Sequence, residues 1–117
     1  MLTKRFQQAQ PYEAPNHYGC SGLRLQGFEP GGPNNQWVGF SQFLPGGGAG
    51  PDATPFEKVY VVLDGEMTVE TQTETVVLGR YDSCTIAPNE IRTITNRSNH
   101  GCTMLVVIPY PPKEPSA

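Results

Sequence analysis

The chain of 117 residues carries 8 lysines and arginines against 11 aspartates and glutamates, a net charge of −3, with 13 glycines and 12 prolines. That length supports one domain around one core, and the acidic balance excludes a nucleic-acid binder, which needs a basic stripe to neutralise phosphates. Glycine and proline at this density favour short strands and tight turns over helices, and no apolar run reaches the length of a membrane span.

Residues 1–20, polar and broken by Pro11 and Pro15, read as an extended N-terminal arm. They lack the apolar segment of a secretory signal, so a cytoplasmic location is expected. Strand-like runs then alternate with turn signals: "GLRLQGF" before the turn-rich "EPGGPNN", and "QWVGFSQFL" before "PGGGAGPDATP", which reads as a loop. "KVYVVL" (58–63) meets Asp64-Gly65, a hairpin signal because Asp-Gly suits positive φ. "EMTVETQ", "ETVVL", "DSCTIAP", "IRTITN" and "CTMLVVIPY" follow, and the proline-rich tail 111–117 reads as frayed. With no repeat, no heptads and no window of helical periodicity, the expectation is an all-β domain over 21–110, a sandwich or small closed barrel. Cys20, Cys84 and Cys102 form neither an even disulfide framework nor a paired zinc spacing, so reduced structural thiols are expected.

The order "PGGG", then "EKVYVVLDGE", then "LGRYDSCTIAPNEIRTITN" resembles the two-motif pattern of the cupin superfamily over roughly residues 36–109. The resemblance implies a single-domain jelly-roll β-barrel. In that family, two histidines and a glutamate from the first motif and one histidine from the second hold a divalent metal in the barrel mouth. Gly65 matches the glycine closing the first motif, which puts Lys58 in the glutamate slot and Asp52 and Thr54 in the histidine slots. Gly79, Pro88 and Asn96 fit the second motif, whose histidine slot falls on Arg92, or on Thr93 in the longer spacing.

Neither lysine nor arginine is an ordinary metal ligand at neutral pH, because both are cationic and offer no lone pair. A borrowed set of Asp52, Glu57, His17 and His100 would have to work beside two buried cations, so no metal and no other cofactor is expected. Strand alternation puts Lys58, Tyr60 and Val62 on one face, Arg92, Ile94 and Asn96 on another, and Trp37, Ser41 and Phe43 on a third. The sharper reading is a cavity in which Lys58 and Arg92 are the catalytic pair holding an anionic small molecule. Tyr60, Asp52, Thr54, Trp37 and His17 complete the substrate site. Positive charge with no redox centre suits lyase or isomerase chemistry on a carboxylate or enolisable carbonyl compound. A non-catalytic sensor or carrier is the alternative, and a dead site with Lys58 paired to Asp52 or Glu57 and Arg92 to Glu90 or Asp82 is the third. His17, alone in the arm, competes with a solvent-exposed reading, and His100 in "NRSNHG" reads as surface. Val59, Val61 and Leu63 form a second apolar face that needs cover, so a homodimer with the arm crossing to its neighbour is expected.

Overall fold

The computed structural model describes residues 1–111, so the tail reading lies, from residue 112, outside the described residues. After one 3₁₀ turn (Phe6–Gln8) the chain forms nine strands. They are β1 (Gln10–Tyr12), β2 (His17–Gln26), β3 (Gln36–Asp52), β4 (Lys58–Asp64), β5 (Met67–Thr71), β6 (Thr75–Leu78), β7 (Ser83–Ile86), β8 (Arg92–Thr95) and β9 (Cys102–Pro109). They join in the order β6-β5-β8-β3-β9-β4-β7, with β2 and then β1 added along β3, and curl into a jelly-roll barrel. No helix among the described residues is long and apolar enough to cross a membrane.

Three local expectations change. The glycine run "PGGGAGPD" is not a loop but the second half of β3, which reaches 17 residues. Its first half pairs with β9 and its second with β8, while β2 follows both. Side chains are excluded there by crowding: a Cβ on Gly47 would lie 2.3 Å from the Gly19 carbonyl, and one on Gly48 2.1 Å from that of Ile94. Glycine thus marks backbone meeting backbone rather than a turn. The Asp64-Gly65 turn closes no hairpin either, because β4 pairs with β7 and β9 while β5 pairs with β6 and β8. Finally, residues 10–12 and 17–20 of the expected arm are sheet strands, antiparallel to their own chain.

The inward faces follow strand alternation. β4 buries Lys58, Tyr60 and Val62; β8 and the residue after it bury Arg92, Ile94 and Asn96; β9 buries Cys102, Met104 and Val106. Asn96 is a tie: its Nδ2 donates to the carbonyls of Phe43, Leu44 and His100, and its Oδ1 accepts from Ser98. The apolar core gathers around Met67, Ile94 and Met104, and the last two also line the cavity that receives Lys58 and Arg92.

Outside, register aligns Leu23, Phe40, Leu105 and Val61 across four strands, with Val38, Val107 and Val59 alongside. All of these are half-buried. Phe6 lies edge-on against Phe40, centroids 5.0 Å apart, so the first residues fold back on their own barrel.

Candidate functional site

Lys58, Arg92, Tyr60, Asp52, Thr54, Trp37 and His17 all line one cavity of about 340 Å³ at the polar end of the barrel. A wider, more open depression of about 1050 Å³ lies at the other end, beside Cys102 and the exposed His100. The two are separated along β9, whose Met104, Val106 and Ile108 face the cavity and whose residues 102–103 border the depression.

Lys58 and Arg92 are 5% and 4% exposed, the only charged residues fully buried among those described. Burial drives the Lys58 ammonium down to about 8; the Arg92 guanidinium adds to this, and Asp52 partly opposes it. Arg92 Nε donates to the Tyr60 hydroxyl at 2.8 Å, while Nη1 is buried with no partner among the described residues. Because β3 and β8 pair Asp52 with Arg92 in register, an ion pair here would be easy to form. None forms: among the described residues no carboxylate comes within 4 Å of either cation. Asp52 Oδ1 accepts from the Ala53 N–H, Asp82 Oδ2 from Gly79 N–H and Glu90 Oε1 from Ala87 N–H. The carboxylates offered as salt-bridge partners thus tie their own loops, and Glu57 is exposed.

The ambiguous slot of the second motif resolves to Arg92, since Thr93 is only half-buried on the other face of β8. His17 reaches the cavity, because β2 pairs it with Ala49 of β3. Its Nδ1 lies 2.7 Å from the Pro15 carbonyl, which can only accept, so Nδ1 carries the proton and Nε2 keeps a free lone pair. Burial holds its pKa below the ordinary value, and the Arg92 and Lys58 charges add to this, so the ring is neutral at pH 7. Tyr60 is raised above the ordinary tyrosine value, mainly by burial, so its hydroxyl keeps its proton.

Sequence reasoning missed Tyr12, Glu13 and Arg24, which line the same cavity. Tyr12 roofs it from β1, and Gly39 makes the room: a Cβ there would sit 2.5 Å from the Tyr12 hydroxyl. Arg24 points inward from β2, its guanidinium carbon 4.5 Å from the Phe28 ring centroid and 5.3 Å from those of Tyr12 and Trp37. The neutral-looking "GLRLQ" hides this, because its two leucines suggest the opposite inward face.

The four ligand slots carry two cations, one hydroxyl and one carboxylate, and no group of three or more His, Cys, Asp or Glu stands together among the described residues. Of the borrowed set, His17 and Asp52 line the cavity, whereas Glu57 is exposed and His100 lies at the far end. This donor set does not fit the divalent metal that the fold would otherwise suggest.

A β-barrel with a polar cavity at one end, built from the two motifs, defines a cupin, and the chain belongs to that family: residues 39–108 match the Cupin domain model. It is 44% identical over 114 residues to beta-D-galactosidase Rv1717 of Mycobacterium tuberculosis, covering 97% of this chain and 98% of that protein. Among solved structures it resembles the polyketide cyclase RemF of Streptomyces resistomycificus (TM-score 0.81, 19% identity, 93% of this chain and 79% of that one). A cupin-2 domain protein of Rhodospirillum rubrum is similar too (TM-score 0.78, 13% identity, 98% and 78%). At such identities these two likenesses concern the fold alone.

Proposed function

We propose that this chain is a small, metal-independent cupin enzyme that cleaves a galactoside-type glycosidic bond in the polar cavity, with Lys58 and Arg92 as its catalytic pair. The observation that carries it is the buried pair itself: two cations in a cavity also lined by Tyr12, Trp37, Phe43, Phe56 and Tyr60, with no carboxylate within 4 Å of either among the described residues. The 44% identity to a protein named a beta-D-galactosidase supports the substrate class.

The geometry is compatible with the following steps. With a pKa of about 8, Lys58 is mostly protonated at neutral pH yet gives its proton up more readily than an ordinary lysine. As the bond between the anomeric carbon and the departing oxygen breaks, Lys58 Nζ protonates that oxygen. Arg92 Nη1 donates to the negative charge gathering there. A water oxygen bonds to the anomeric carbon, and the Asp52 carboxylate takes the water's proton. Exchange with solvent returns one proton to Lys58 and removes one from Asp52. His17 Nε2 and the Tyr60 hydroxyl orient the ring hydroxyls.

A second reading is favoured by Arg92 Nη1, whose missing acceptor is already missing before any reaction. That suits a ligand anionic in its ground state: a carboxylate or enolisable carbonyl compound undergoing lyase or isomerase chemistry, or held without turnover. The experiment is release of 4-nitrophenol from 4-nitrophenyl β-D-galactopyranoside by the purified protein and by Lys58→Met. Turnover lost in the variant supports hydrolysis. Turnover unchanged in Lys58→Met removes lysine from the mechanism. No turnover by the wild type, with carboxylate binding retained, leaves the second reading.

A further inference from the structure

We propose that Arg24 forms a second anion-binding subsite at the Trp37 end of the cavity, so that the preferred ligand is an acidic sugar rather than a neutral one. The inference rests on the reading of this cavity as the ligand site, but not on which reaction occurs there.

By register, Arg24 pairs with Gly39, Gly39 with Val106, and Val106 with Tyr60, so Arg24 and Tyr60 lie on one rung, three strands apart. Three strand spacings make about 14 Å along the sheet, and curvature of the barrel brings the ends closer. Tyr60 holds Arg92 through its hydroxyl, so the rung carries a guanidinium at either side of the cavity.

Among the described residues, Arg24 Nε is buried without a hydrogen-bond partner and no carboxylate lies within 4 Å of its guanidinium. Glu29, the nearest acid along its strand's exit, bonds the Gly27 N–H and pairs with Lys4. Contact with three aromatic rings holds the Arg24 guanidinium without using its N–H groups. A guanidinium held in this way, with its N–H groups unspent, is arranged to receive an acceptor.

The hydroxyls of a neutral sugar are served as well by uncharged donors, so only an anion makes use of the charge of an inward arginine beside Trp37. A carboxylate fits it, and the cation at the opposite side matches a second acidic group on the same molecule.

Isothermal titration with galactose, galacturonate and galactarate tests this: the first two are pyranoses carrying no carboxylate and one, and galactarate is an open six-carbon chain carrying two. The wild type is expected to bind galacturonate at least tenfold more tightly than galactose, and galactarate more tightly still. Arg24→Gln should abolish the preference for galactarate over galacturonate while binding galacturonate. Arg24→Lys, which keeps the charge and loses the fork, should fall between them. Equal affinity of the wild type for all three sugars overturns the subsite whatever the variants do, as does an unchanged galactarate preference in a folded Arg24→Gln. Absence of any binding overturns the cavity reading as well, which separates that failure from a failure of Arg24 alone.

Discussion

Replacing Lys58 by methionine should make the protein more stable while removing its function. The lysine's pKa falls from 10.5 to about 8 on folding, chiefly through burial and then through Arg92. At about 1.36 kcal/mol per unit, holding the side chain charged in the folded state costs up to about 3 kcal/mol. The sign follows from linkage: the unfolded chain binds the proton more tightly, so the penalty is complete below pH 8, shrinks as pH rises, and is gone above 10.5. Methionine keeps the length of the stem and removes the ammonium, a change that is often neutral or stabilising. Urea melts at pH 7 should therefore show Lys58→Met more stable by about 1–3 kcal/mol, and the gap should close between pH 8 and 10.5. A variant less stable than wild type at pH 7 would refute the reasoning, because it would mean the ammonium is held by a partner that repays its burial. A gap that does not change with pH would refute the electrostatic origin even if the variant were stabilised.

Arg92→Lys should weaken carboxylate binding by about tenfold, since it keeps the charge but loses the fork and the 2.8 Å bond to Tyr60; titration calorimetry reads this directly. Elemental analysis of protein purified without chelators is expected to find well below stoichiometric iron, manganese, nickel or zinc, and chelators should leave ligand binding unchanged. The half-buried outer face around Val59, Val61 and Leu105 leads us to propose a homodimer, which light scattering at micromolar concentration would report as twice the chain mass. Val61→Glu should then shift the mass to that of one chain, and a wild type that is already monomeric would defeat the proposal.

The sequence exposed the barrel because short strand-like runs such as "KVYVVL" and "IRTITN" are set off by turn signals and the motif residues Gly65, Pro88 and Asn96 fall at family spacing. It also brought seven candidate residues to a single cavity, since the slots of a family motif carry three-dimensional meaning even when their side chains change. What it hid has physical causes. Glycines in "PGGGAG" looked like a loop because turn residues and residues that permit close strand contact are the same residue type. Arg24 was invisible because this barrel is apolar on part of its outside as well, so Leu23 gave no reason to expect its neighbour inward. The Asp64-Gly65 turn misled because local turn chemistry says nothing about which strand the chain will pair with next.

Tyr12 sits on the shortest strand of the barrel, and that sets how a ligand gets in. β3, β4, β8 and β9 are each bonded to neighbours on both sides, so none of them can swing away without breaking the sheet. β1 has three residues and one neighbour, and the segment from Tyr12 to His17 that covers the cavity is held by Tyr12 packing on Trp37 and by Asn16 bonding Gly50 and Pro51. Short edge segments open locally at a small fraction of the cost of global unfolding. Association would then be limited by the fraying of β1 rather than by diffusion, and a ligand once enclosed would leave at the rate at which those three residues detach.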